Sequence, residues 1–194
     1  MKQYMIWGAV GVVVLLALSV FGSYNSLVAL DQEARAKWAD VEGQYQRRMD
    51  LVPNLVATVK GAANFEQETL TAVVEARAKA TQITVDPAKL DAESIAKYQA
   101  AQGELGTALG KLLMISENYP QLTATANFRD LQSQIEGTEN RIAVARRDFG
   151  AAVQTYNTRI HQFPGVLVAK LFGFAEKAYF TADPDASAAP AVAF

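Results

Sequence analysis

Apolar residues fall along this chain first as one unbroken block and afterwards in steps of three and four. The block runs from Tyr4 through Phe21, and no charged residue occurs between Gln3 and Leu30. A helix rises about 1.5 Å per residue, so roughly 20 such residues match a bilayer core of about 30 Å. Tyr4 and Trp7 stand at one end, where amphipathic rings favour a membrane–water interface, and Tyr24-Asn25 stand at the other. The stretch exceeds the roughly 7–15 apolar residues of a signal peptide, and Val20-Phe21-Gly22-Ser23 is a poor cleavage site. An uncleaved membrane anchor is the reading, with Tyr4, Trp7, Leu15, Leu16 and Phe21 facing lipid.

Beyond the block the apolar residues keep helical spacing. Leu27, Leu30, Ala34, Trp38, Val41 and Tyr45 line one face of a helix that continues out of the anchor. A break is predicted at 48–51, with Asp50 as N-cap and Pro53 in the first turn of a second helix running to about Thr81. Its inner side carries Leu55, Val59, Ala62, Leu70, Val73 and Ala80. Asp86-Pro87 reads as the start of a third helix, bearing Leu90, Tyr98, Leu105, Leu109, Leu112 and Leu113. Gly103, Gly106 and Gly110 cost that helix roughly 1 kcal/mol each against Ala, which predicts close approach of a neighbouring backbone. After Asn118-Tyr119-Pro120, a fourth helix presents Phe128, Leu131, Ile135, Thr138, Ile142, Ala145, Phe149, Ala152 and Tyr156 at the heptad spacing of a packed seam. No run alternates with period two. Short connections at 48–51, 83–87 and 116–123 make successive helices antiparallel neighbours. The expected fold class is all-α, an N-terminal transmembrane helix followed by an up-and-down antiparallel four-helix bundle. The anchor takes residues 1–23, the bundle 24–163, and a short apolar segment with an Ala/Pro-rich tail 164–194.

Val166 to Phe174 is more apolar than a surface tail requires. Three readings stand open: it caps the bundle, lies on the membrane, or contacts another copy. Phe163, Leu167, Leu171, Phe172 and Phe174 are the candidate self-association residues. The composition of Thr181–Phe194 is that of an unstructured tail, unless contacts with neighbouring copies hold it.

Charge and composition mostly exclude. The 194 residues hold 18 Lys+Arg against 20 Asp+Glu, so there is no clustered cationic surplus for nucleic acid. Cys is absent and His161 is the one imidazole, which removes disulfides, thiolate metal sites and multi-histidine centres. A di-iron bundle would need Glu where Thr158 stands. Gly103–Lys111 lacks both the first glycine and the Ser/Thr of a phosphate loop, having Leu105 and Leu112 there. No nucleophile elbow accompanies the lone His. Glu66, Glu68 and Glu75 read as solvated surface; Arg47-Arg48 and Arg146-Arg147 read as partners for the bundle's own acids, with anionic lipid headgroups or a partner's acidic surface as the alternative. Neither a catalytic site nor a cofactor is expected.

Particular words in the sequence add more. Tyr24-Asn25-Ser26-Leu27-Val28, Trp38 and RRMDLVPNLVATVKG at 47–61 resemble the LemA family. So do ENYPQLTATANFRDLQ at 117–132, IEGTENRIAVARRDF at 135–149, VQTYNTRIHQFPG at 153–165 and LFGF at 171–174. Phe149-Gly150 stands where Tyr-Asn is usual in such proteins, and Pro190–Phe194 lacks the usual charges. The resemblance implies a bacterial membrane protein with one N-terminal helix and an up-and-down helical bundle, and it carries across no catalytic residue.

The leading functional expectation is a non-enzymatic, membrane-anchored scaffold that self-associates through its bundle and C-terminal segment. The alternative is an adaptor that binds another membrane protein or a peptide. Expected partners are the lipid bilayer, further copies of the chain and another membrane protein, and no nucleic acid. The expected location is the bacterial cell membrane, the inner one in a Gram-negative cell, with a single pass and the bundle on the periplasmic or outer side.

Overall fold

The computed structural model describes residues 2–61 and 65–181. It is all-helical, with no strand among the described residues. The helices are α1 (Lys2–Lys60), α2 (Gln67–Gln82), α3 (Ala92–Ser116), α4 (Pro120–Thr123), α5 (Ala126–His161) and α6 (Gly165–Phe172).

The largest departure from the sequence reading is at 48–51, where the expected break is missing. α1 is one helix of 59 residues with Pro53 inside it, about 90 Å long at about 1.5 Å per residue. An internal proline costs a helix ~3 kcal/mol or more, through a lost hydrogen bond and a clash with the carbonyl four residues back. Two features offset this. The buried positions Tyr45, Met49, Val52, Val56 and Val59 keep their spacing of three and four across the proline. The carbonyl left without a partner, that of Met49, accepts instead from Arg77 Nε of α2 at 2.8 Å. Leu55 and Val59 are buried as expected, but on α1 rather than on a second helix. Ala62 lies outside the described residues.

The start of α3 also differs. Asp86 holds a turn, its side chain accepting from Ala88 N at 2.8 Å, and the helix begins only at Ala92. There Asp91 is the N-cap, accepting from Ser94 N at 2.8 Å. α5 starts behind Thr125, whose hydroxyl accepts from Phe128 N.

α1 and α5 run antiparallel over their shared length. Leu27 meets Tyr156 and Ile160 in one apolar cluster. Trp38, Val41 and Tyr45 meet Ile142, Phe149 and Val153 in the next. Met49 to Val59 meet Ile135 and Phe128 in the third, which Leu70, Val73 and Ala80 of α2 and Leu105, Leu109 and Leu112 of α3 complete. α2 and α3 pair along their length, and Lys79 bridges to Glu104 at 3.0 Å. Of the three glycines of α3, Gly106 alone faces a close neighbour, since an added Cβ would lie 3.3 Å from Arg48 Nη1. Gly103 and Gly110 have open space at that position, so no neighbouring backbone accounts for them among the described residues.

Candidate functional site

The C-terminal segment packs on α1 just beyond the apolar block, against Ser23, Tyr24 and Leu27. Within the apolar block Tyr4, Trp7, Leu15, Leu16 and Phe21 are all exposed. α1 is the one described helix long and apolar enough to cross a membrane. Immediately beyond, α6 crosses α1. Gly165 starts it so tightly that a Cβ there would collide with the Arg159 carbonyl oxygen and come within 3.8 Å of Ser23 Oγ. Gly173 ends it at φ +76°, a left-handed conformation that favours glycine.

α6 has two apolar faces with different fates. Val168 and Ala169 are buried against Leu27, Tyr156 and Ile160. Leu167 and Leu171 point away from that cluster at 59% and 74% exposure, flanked by Phe163 at 75% and Phe172 at 53%. Phe174 is different. It is half-buried, packs on the same cluster, and lies 5.8 Å from the Tyr24 ring, which also meets Phe172 at 4.9 Å. Four of the five candidate self-association residues are thus exposed on or next to α6, and Phe174 packs inward beside them.

Past α6 an extended strap crosses the molecule, which sequence reading left inside the post-bundle segment. Tyr156 Oη donates to Ala175 O at 2.9 Å. The Asn157 side chain takes both backbone groups of Lys177, donating to its carbonyl at 2.8 Å and accepting from its N–H at 3.0 Å. Ala178 N donates to Leu90 O at 2.9 Å. Phe180 stacks on Trp38 with ring centres 5.7 Å apart and lies under the Arg146 guanidinium at 4.6 Å. Gln99 repeats the Asn157 arrangement at Thr181, donating to its carbonyl at 2.8 Å and accepting from its N–H at 3.1 Å. Two carboxamides, one on each flanking helix, thus act as strand partners for the strap.

Charges are buried in two places. Lys177, 6% exposed, reaches Asp31 at 2.7 Å, and Asp31 also holds Arg35 at 2.7 Å. Arg48, 3% exposed, donates to Glu139 at 2.8 Å and to the Gln102 carbonyl at 2.6 Å. That pairing with the chain's own acids is the one expected for Arg48. Burial, assisted by Asp31 and opposed by Arg35, pushes the Tyr156 hydroxyl up to about 12. His161 is exposed and lies 3.8 Å from Glu176. Among the described residues no three His, Cys, Asp or Glu are grouped to hold a metal. Among the described residues these buried charges pair with one another and tie the strap and α3 to α1.

The LemA family profile matches residues 37–194. The chain belongs to the LemA family. It is similar to magnetosome protein MamQ 2 of Paramagnetospirillum magneticum, at 26% identity over 89% of this chain and 70% of that protein. Magnetosome protein MamQ of Magnetospirillum gryphiswaldense is 28% identical over 83% of this chain and 65% of its own length. Protein LemA of Metamycoplasma hominis is 23% identical over 77% of this chain and 67% of its own. None of these names is that of an enzyme, and the magnetosome relatives and the apolar helix are compatible with membrane association.

Proposed function

We propose that this chain is a single-pass, membrane-anchored structural protein without enzymatic activity, which assembles with copies of itself through the exposed face of α6. In this reading the distal part of α1 with α2, α3 and α5 forms an up-and-down four-helix bundle standing on the anchor. The carrying observation is the exposure of Leu167, Leu171 and Phe172 on a helix whose opposite face is buried, with Phe163 exposed just before it. Contiguous apolar patches on a folded surface mark contact sites. α6 is held to α1 at Ser23–Leu27, directly after the apolar block, so parallel anchors in one bilayer would bring these patches to the same height. The relatives named as magnetosome proteins support a membrane-associated role.

The test is the mass of the full-length protein in mild detergent, where one copy weighs 21.0 kDa. The expectation is a large assembly that L171D and F172D disperse without loss of helix content. A monomeric wild-type protein overturns the reading. A different membrane protein co-purifying with that monomer in fixed ratio would establish the adaptor alternative. The bundle is placed outside the cytoplasm, with the N-terminus inside. Because the chain has no native Cys, one introduced at exposed Gln121 and labelled in intact cells or spheroplasts reports the face directly.

A further inference from the structure

A recess of about 320 Å³ lies between α1 and α5 near the anchor, lined by Leu30, Gln154, Thr155, Thr158, Arg159 and Gln162. Its height above the apolar block can be read from two contacts. The Arg159 carbonyl oxygen and Ser23 Oγ both lie against Gly165, which puts the Arg159 backbone level with Ser23, two residues past Phe21. Leu30 is nine residues past Phe21, about 14 Å at about 1.5 Å per residue. A bilayer core of about 30 Å grows to about 40–45 Å with its headgroups, so each headgroup layer is about 5–8 Å deep. With α1 crossing the membrane, the recess opens from that layer upwards.

Its chemistry is one-sided. Arg159 is half-buried, and its Nε is sealed from solvent without a hydrogen-bond partner. No acid lines the recess, and among the described residues none pairs with this guanidinium. The cations of α1 just above are different, since Arg35 holds Asp31 and Lys37 holds Asp40. A partly buried charge without a partner is costly, so its counter-ion has to come from outside the chain. The Thr158 hydroxyl and the Gln154 and Gln162 carboxamides add neutral donors, and half-buried Leu30 adds an apolar wall. A guanidinium also suits the last turn of α5, where it meets the negative end of the helix, but that interaction requires neither a recess nor a lipid.

We propose that this recess binds the phosphate of an anionic phospholipid, with Arg159 as its charged partner and Thr158, Gln154 and Gln162 as hydrogen-bond donors. The planar guanidinium can take two phosphate oxygens at once, and Leu30 faces the glycerol. Free phosphate has the same charge chemistry, but the height of the recess and its apolar wall select the lipid. Held there, the lipid joins the foot of α5 to the bilayer that α1 crosses. The assignment rests on α1 as a membrane anchor and is independent of assembly through α6.

The test reconstitutes the full chain into phosphatidylcholine vesicles containing phosphatidylglycerol, floats them, and measures the lipid retained after mild detergent extraction. Phosphatidylglycerol is expected to be enriched on the wild type and to fall about fivefold on R159Q, the scale for one cation at an anionic surface. T155E is expected to do the same without touching Arg159, because a glutamate four residues before an arginine on a helix pairs with it. R159K should keep part of the enrichment, and K170Q, on exposed α6, should keep all of it. Equal enrichment on wild type, R159Q and T155E overturns the proposal. So does an equal loss on K170Q, which would make the effect one of general surface charge. Inorganic phosphate raising the melting temperature of the lipid-free wild type, and not of R159Q, gives the recess to a free anion and overturns the lipid assignment. A chain that does not float with the vesicles overturns the anchor and the lipid site together, whereas one that floats without enrichment overturns the site alone.

Discussion

Arg77 Nε donates to the Met49 carbonyl at 2.8 Å, and that carbonyl is the one Pro53 deprives of its helical partner. α2 thus supplies from outside what α1 lacks. The same residue anchors other contacts, since the Met49 sulfur accepts from Thr81 Oγ at 3.6 Å and from Gln102 Nε2 at 3.8 Å. The point where α1 should have broken is where α2 and α3 both fasten to it.

A double-mutant cycle measures this repair. R77A is expected to cost about 1.5–3 kcal/mol, the range for a hydrogen bond from a charged donor. In a P53A background the alanine N–H satisfies Met49, so the same change should cost less by about 1 kcal/mol or more. Equal costs in the two backgrounds, read from urea melts, would show that Arg77 stabilises the fold by some other contact.

Two glycines of α3 predict opposite results. Gly110 has open space at its Cβ position, so G110A is expected to stabilise by about 1 kcal/mol through helix propensity alone. At Gly106 the added methyl would press on Arg48 Nη1, whose guanidinium is buried and held at both ends. G106A should therefore gain nothing or lose stability. Thermal melts of the two variants decide it, and equal gains would mean that Arg48 moves freely.

Helix positions and inner faces were legible in the sequence because burial imposes a spacing of three and four wherever it occurs. Trp38, Leu55, Val73, Leu105, Ile142 and Tyr156 are all buried on the faces that spacing assigns. The helix break near Asp50 was misread because a local rule for proline takes no account of a donor from 24 residues away in sequence. The strap was illegible for a related reason. Its partners are side-chain amides of Gln99 and Asn157, which have no periodic signature, and its own residues 175–181 look like any exposed tail. Of the candidate contact residues, apolar character was readable, but the half-buried state of Phe174 follows from its packing on Tyr24 and on the Leu27 cluster.

The buried Lys177–Asp31 pair makes an asymmetric prediction. Removing one member of such a pair leaves an uncompensated charge and costs about 3–5 kcal/mol, whereas an apolar replacement of similar shape is often nearly neutral. D31A strands both Lys177 and Arg35 and should be the more damaging change. K177M should be tolerated, because Arg35 still holds Asp31 and the Met side chain can lie on the Tyr156 ring as Lys177 does at 4.9 Å. Chemical denaturation of both variants tests this, and K177M proving as costly as D31A would refute it.

Tyr156 predicts a stability loss in alkali. Burial lifts its hydroxyl from 10.0 in the ordinary state to about 12 in the folded one, so the neutral form is the one the fold favours. A group raised in this way contributes its full stability below the unfolded value and loses it as pH climbs through the folded value. The window is therefore pH 10 to 12, and solvent screening near the surface holds the loss to roughly 1–2 kcal/mol. Burial pushes Tyr98 upward as well, in the neighbouring cluster around Trp38, so the whole region under the strap is sensitive in the same direction. Y156F should cost about 1 kcal/mol at pH 8, through the lost hydrogen bond to Ala175. Above pH 10 the variant should then lose stability less steeply than the wild type, so that the two curves converge. Urea midpoints at pH 8, 10 and 11.5 give both slopes, and parallel curves would mean that Tyr156 stays protonated or that its ionisation is accommodated without releasing the strap.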